Sequence, residues 1–265
     1  MENKPNNPAE QFPMRPPPGL WSGLFAPWHG ARFMMKHPRL WSLALIPIII
    51  NAVVLTIFFW ISLKYFSGWL DNLLPQSQEW YWIILTYLLM VLLSIVLLLA
   101  IVFTFTVTAN ILASPFNDSL SAQTELLTRG GVDTPFSIRL ALKEAGRTIK
   151  EEIKKAVFYL LVVALLLLLN LVPLLGSVVY SLLFSLFTML WLGLSFLDYS
   201  LARKGYRFGD KIKYARRNIR SVFGYGLGVF IGLLIPVFNL LFIPVAVVGG
   251  TLLYVSLGDL DNIAA

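Results

Sequence analysis

Hydrophobic positions along this chain come in long unbroken runs, not in the alternation of a half-buried strand. One runs from Trp80 to Ala109, 30 residues, and no charged residue stands between Glu79 and Asp118. At 1.5 Å per residue it makes about 45 Å of helix, against a hydrocarbon layer of about 30 Å. Trp80, Tyr81 and Trp82 sit at one end, where amphipathic rings favour the headgroup level. At the other end Asn110 and Asn117 bracket Ser114-Pro115-Phe116. Residues 42–63 give a second run of 22 uncharged positions, about 33 Å as helix. Pro38-Arg39-Leu40-Trp41 opens it with proline in the first turn, and Pro47 predicts a kink or a packing face. Residues 64–79, with Asp71 and Pro75, read as a short polar loop between the two spans.

Two later runs follow one plan. Residues 156–197 and 221–258 are uncharged, each follows a basic segment, and each carries a proline turn, Val172-Pro173 or Ile235-Pro236. Each then reaches an aspartate, Asp198 or Asp259, 25 and 23 residues beyond its proline. The arms before the prolines are 17 and 15 residues, short of the roughly 20 that a span needs. The turn's backbone groups would go unpaired in lipid. Both segments are therefore expected to be helical hairpins that dip into the bilayer. Gly224, Gly228 and Gly232, four apart, predict a face for close helix contact, and Ser177, Ser181 and Ser185 predict the same in the first hairpin.

Between the long run and the first hairpin the pattern turns amphipathic. Thr134-Pro135 reads as a cap and first helical position; Ile138, Leu142, Ala145, Ile149 and Ile153 then recur at helical spacing. Arg139, Lys143, Arg147, Lys150 and Lys154 run beside them. This basic helix suits an anionic membrane surface, and equally a solvated helix packed on protein. Residues 20–37 mix tryptophans with Arg32 and Lys36 and predict a short interfacial helix with its tryptophans toward lipid. Residues 1–19, rich in proline and asparagine, predict a disordered tail, and 259–265 a second one. Residues 20–258 form one membrane domain in this reading.

Composition agrees with the pattern: 57% of the chain is hydrophobic, 13% is charged and the mean hydropathy is +0.74, where soluble domains carry about 25% charged residues. The expected fold class is thus an all-α integral membrane protein: two long spans, two partly penetrating hairpins, and basic amphipathic helices on the cytoplasmic side. With no cysteine, a thiolate metal site or nucleophile is excluded. His29 and His37 alone make a poor metal site, and no cofactor is expected. The net charge of +7 is a matter of topology: of 21 Lys and Arg, only Lys64 lies in the 64–79 loop. The rest lie before residue 40, at 129–155 or at 203–220. The positive-inside rule places those three regions and both termini in the cytoplasm, and nucleic acid is not needed as a partner.

Four blocks carry a resemblance: IPIIIN (46–51), ANILASPFNDSL (109–120), LDYSLARKGYRF (197–208) and IPVFNLLFIPVAVVGG (235–250). In this order they resemble the blocks of the CysZ sulfate-permease family, which shares a domain with the eukaryotic etoposide-induced proteins of the endoplasmic reticulum. The resemblance runs from about residue 20 to 257. It implies two long spans, two partly penetrating hairpins, a homo-oligomer in the bacterial inner membrane, and passage of sulfate toward cysteine synthesis. Sulfate-binding members carry Gly-hydrophobic-Arg-Arg where the first span begins. Here those positions are Arg39, Leu40, Trp41 and Ser42. The paired arginines are replaced, while Arg39 and Ser42 retain donors.

No charge interrupts an apolar run, so a buried carboxylate proton relay is not indicated. No G-x-x-x-x-G-K-[ST] loop is present, and nothing reads as a nucleophile with its base, so neither ATP hydrolysis nor other enzyme chemistry is expected. An anion would have to be held by helix N-termini, hydroxyls, amides and arginines. The candidates are Arg39 to Ser42 at the first helix start, then Asn110, Asn117 and Asn239, each of which could instead pair kinked backbone. Asp198 and Arg203 are expected to pair and end the first hairpin. Two functions fit: a channel-like permease for sulfate or a similar oxyanion, and a non-transporting scaffold that shapes the bilayer.

Overall fold

The computed structural model describes residues 19–73, 80–129, 138–173, 175–235 and 238–258. The expected tails at 1–18 and 259–265, the tip of the 64–79 loop and the Thr134-Pro135 cap lie outside them. Every regular element among the described residues is helical: α1 (Leu20–Leu24), α2 (Ala26–Lys36), α3 (Arg39–Leu73), α4 (Trp80–Arg129), α5 (Ile138–Leu167), α6 (Gly176–Arg203), α7 (Phe208–Arg217), α8 (Ile219–Leu233) and α9 (Phe238–Leu257). They divide into two compact units, one from residues up to 44 and from 117 on, the other from 45–116.

The 45–116 unit consists of most of α3 and the first part of α4. Its apolar side chains face outward: Ile49, Phe59, Trp60, Leu88 and Leu99 are each more than half exposed. Arg39–Ile61 and Tyr81–Val102, the latter with no residue buried, are long and apolar enough to cross a membrane. Helices this long that expose apolar side chains along their length are solvated by lipid, which makes this a membrane protein. Both helices outrun the expected spans. α3 continues to Leu73, so the loop expected to begin at Lys64 starts at least ten residues later. α4 continues through Pro115 to Arg129, because a single proline removes only one ladder bond in a long membrane helix.

The other unit has a core of Phe33, Met34, Leu40, Leu197, Leu201, Tyr214, Val222, Tyr225, Val229 and Tyr254, among others. α1 lies on α8, α2 on α9, and α6 on both α8 and α9. Glycine makes these crossings close. A Cβ at Gly226 would run into Met189 O, and one at Gly224 into Leu20 O. Gly228 meets Leu24 O and Gly232 the Phe242 ring, so the predicted glycine face packs as expected. The serine stripe does not. Ser177, Ser181 and Ser185 are exposed, and the Ser181 and Ser185 hydroxyls donate to carbonyls four residues back in their own helix, each at 2.7 Å. A serine hydroxyl satisfied on its own turn needs no partner helix.

The first proline turn, Val172-Pro173, falls where the pattern put it, while Pro236 of the second lies outside the described residues. After α5 comes a 3-10 turn, Leu168–Leu171, and Gly176 N–H donates to Val172 O at 3.1 Å as α6 begins. α5 and α6 run antiparallel, with Tyr159 against Phe187 and Trp191, and Lys155 against Asp198. α8 and α9 are antiparallel too, with Gly232 at Phe242 and Tyr225 at Ala246. The expected basic helix and first arm are one continuous helix, α5, whereas α7 is separated from α8 at Asn218. α6, with 28 residues, is itself long and apolar enough to cross a membrane.

Candidate anion site

α2 ends at His37, whose backbone (φ −124, ψ 81) leaves the helical region before Pro38. The ring stacks on Phe33 at 4.2 Å, with Nδ1 2.9 Å from Phe33 O. α3 then starts through a tight turn: Leu40 N–H donates to His37 O and Trp41 N–H to Pro38 O, both at 3.0 Å. Two of the amides that could have met an anion are therefore engaged. Ser42 Oγ donates to Arg39 O at 2.7 Å. Leu40 is fully buried and Trp41 packs against the core. Of the predicted quartet, Arg39 and Ser42 are exposed, and Arg39 is the charged donor left facing outward.

The asparagines are placed apart by role. Asn117, 6% exposed, donates through Nδ2 to the Tyr199 hydroxyl at 3.3 Å, so it joins α4 to α6. Asn110 lies within α4 and Asn239 near the start of α9, with side chains outside the described set.

Asp198 and Arg203 do not pair. Five residues along a helix turn the side chain through about 500°, or about 140° away, so they leave α6 on different faces. Asp198 meets Lys155 Nζ at 2.8 Å and the Lys211 ammonium, joining α6 to α5 and α7. Arg203 reaches Asp118 Oδ1 at 3.3 Å and Glu125 Oε2 at 3.0 Å, and Lys204 reaches Glu125 Oε1 at 2.9 Å. Burial alone would raise the Glu125 carboxyl, but the hydrogen bonds and charges of Lys204 and Arg203 outweigh it and hold it below its ordinary value. Burial alone would lower Lys155; the charges of Asp198 and Glu152 outweigh it and hold the ammonium above its ordinary value. These pairs cross-brace the end of α6.

A cluster that the sequence reading missed lies deeper. Ser121, Ser200 and Thr251 are fully buried. Ser121 Oγ is 3.2 Å from Ser200 Oγ and 2.6 Å from Thr251 Oγ1, which donates to Val247 O at 2.9 Å. The three hydroxyls join α4, α6 and α9 where no solvent reaches. The available signal was Ser121 one turn beyond Asn117, with Ser200 beside Tyr199. Among the described residues no group of three His, Cys, Asp or Glu could hold a metal ion.

Residues 26–244 match the family model described as Sulfate transporter CysZ/Etoposide-induced protein 2.4. The chain is 32% identical over 228 residues to a Sulfate transporter CysZ of Pseudomonas paraeruginosa, covering 85% of this chain and 91% of that one. It is 31% identical over 231 residues to one from Pseudomonas fluorescens (87% and 92%), and 28% over 223 residues to one from Vibrio parahaemolyticus (83% and 88%). With most of both chains aligned, and with long apolar helices in place, this protein belongs to the CysZ/etoposide-induced protein 2.4 family.

Proposed function

We propose that this protein is a sulfate permease of the bacterial inner membrane, which lets sulfate or a similar oxyanion into the cell for cysteine synthesis. The observation that carries this reading is the near full-length match to relatives named for sulfate transport. The apolar helices fit the same role, since a dianion crosses hydrocarbon only where fixed donors replace its water. The chain carries no P-loop, so passage is not driven by ATP hydrolysis in this chain, and a channel-like route is the reading tested below. The working form is a homo-oligomer with cytoplasmic termini. The arms at residues 156–172 and 221–235, short of a full span, stop within the bilayer as re-entrant hairpins with their partners, and residues 20–258 act as one membrane domain.

At the mouth, Arg39 and Ser42 are the groups that meet the anion, with Leu40 and Trp41 setting the turn between them. Asn110, Asn117 and Asn239 are the further polar candidates for the pore or the hairpin tips. With the arginine pair absent, sulfate binds weakly, on the order of millimolar, which corresponds to about 4 kcal/mol.

The test is uptake of labelled sulfate into proteoliposomes along an imposed sulfate gradient, beside calorimetric titration of the purified protein. Uptake without added ATP is the expected result. Ser42→Arg, at an exposed position, should tighten binding about tenfold, equivalent to about 1.4 kcal/mol. Absence of both uptake and binding would sink the permease reading in favour of a bilayer scaffold.

A further inference from the structure

We propose that the outward face of α1 and α2 is a binding site for an anionic phospholipid, whose phosphate meets Arg32. Trp21, Phe25, Trp28, Arg32 and Met35 are exposed at successive spacings of 4, 3, 4 and 3, which puts them on one face. The opposite face is committed. Gly23, Ala26, Pro27, Gly30, Phe33 and Met34 are buried, and the glycines touch backbone of α8 and α9. The aromatic face therefore cannot turn inward, and it stays open to an occupant from the surroundings.

Three features identify that occupant. The face is graded, with rings at its α1 end and cations, Arg32, Lys36 and then Arg39, toward α3. The Arg32 guanidinium lies 5.1 Å from the Trp28 ring centroid, and an arginine stacked through its plane keeps its N–H edge for a phosphate. No Asp or Glu occurs in residues 11–70 or 219–257, so α1, α2, α8 and α9 themselves bring no carboxylate to this face. The carboxylates of Glu125 and Asp198 are engaged by Arg203, Lys204, Lys155 and Lys211.

A free anion would use only the cations. A phospholipid uses both halves, its phosphate at Arg32 and its acyl chains along Trp28, Phe25 and Trp21. Arg39 also opens a helix long and apolar enough to cross the membrane, which brings the cationic end to the level of the headgroups. The inference needs only that the chain lies in a bilayer; it does not depend on sulfate passage.

The experiment is native mass spectrometry of the full chain with phosphatidylglycerol and phosphatidylcholine added in equal amounts. The wild type should retain phosphatidylglycerol preferentially, and Arg32→Gln should cut that preference about fivefold, the order expected for one basic side chain at an anionic surface. Trp28→Ala should weaken retention as well. Met35→Ala, on the same face without charge, should keep the preference and shows that an altered face still folds. Equal retention of the two lipids, or an unchanged preference in Arg32→Gln, overturns the proposal. So does displacement of the lipid by millimolar inorganic sulfate, against chloride of matched ionic strength. Sulfate uptake by Arg32→Gln proteoliposomes is measured separately, so failure of transport and failure of the lipid site remain distinguishable.

Discussion

Asp198, Arg203 and Glu125 show how much a single side chain depends on which face of its helix it leaves. Asp198 sits between two lysines from two other helices, and Glu125 accepts from Arg203 and Lys204 together. Because the folded protein holds the Glu125 carboxyl below its ordinary value of 4.5, its ionised form contributes stability above the unfolded value. That contribution is lost as pH falls through the lower, folded value. The thermal midpoint in detergent should therefore hold from pH 7 to about 5 and fall below about 4.5. Glu125→Gln should remove part of that acid-side loss. A variant as acid-sensitive as wild type would show that Glu125 is not the titrating brace.

At the scale of elements, the α6–α8 crossing rests on backbone contact. Gly193 faces Val222 O and Gly226 faces Met189 O, so a side chain at either position must push the helices apart. Gly226→Leu is expected to cost about 3 kcal/mol or more, seen as a lower unfolding midpoint in a thermal scan. Two substitutions serve as contrasts. Ser181→Ala removes a hydroxyl bonded only within its own helix and should stay within about 0.5 kcal/mol. Gly209→Ala adds a methyl where nothing lies within 4 Å and should be neutral or stabilising by up to about 1 kcal/mol. A midpoint for Gly226→Leu equal to that of Ser181→Ala would show that the crossing tolerates separation.

For the whole molecule, the distribution of charge sets orientation. Twenty of the 21 Lys and Arg lie outside residues 64–79, and the positive-inside rule predicts that those clusters face the cytoplasm. In this cysteine-free chain, Ser67→Cys should label with an impermeant thiol reagent from outside intact cells. Lys213→Cys, at a position 77% exposed by side chain, should label only after the membrane is opened. Labelling of Lys213→Cys from outside would invert the topology. Both results bear on the sulfate path, because the Arg39 turn must then face the cytoplasm.

The membrane class, the two long apolar helices, the Val172-Pro173 turn and the glycine face on α8 were legible along the chain. Each follows from a local property: the length of an uncharged run, a missing N–H, or a four-residue spacing. Tertiary structure alone decided the partners. Asp198 chose Lys155 and Lys211 over Arg203 because five residues on a helix separate faces. Ser121, Ser200 and Thr251, distant in the chain, became one buried hydroxyl group only when three helices met. At the candidate anion site, composition displayed Arg39 and Ser42, but only the folded turn showed that the Leu40 and Trp41 amides are already bonded to His37 and Pro38. Hydrogen-bond donors are counted from sequence, whereas their availability is set by backbone geometry that no residue carries alone.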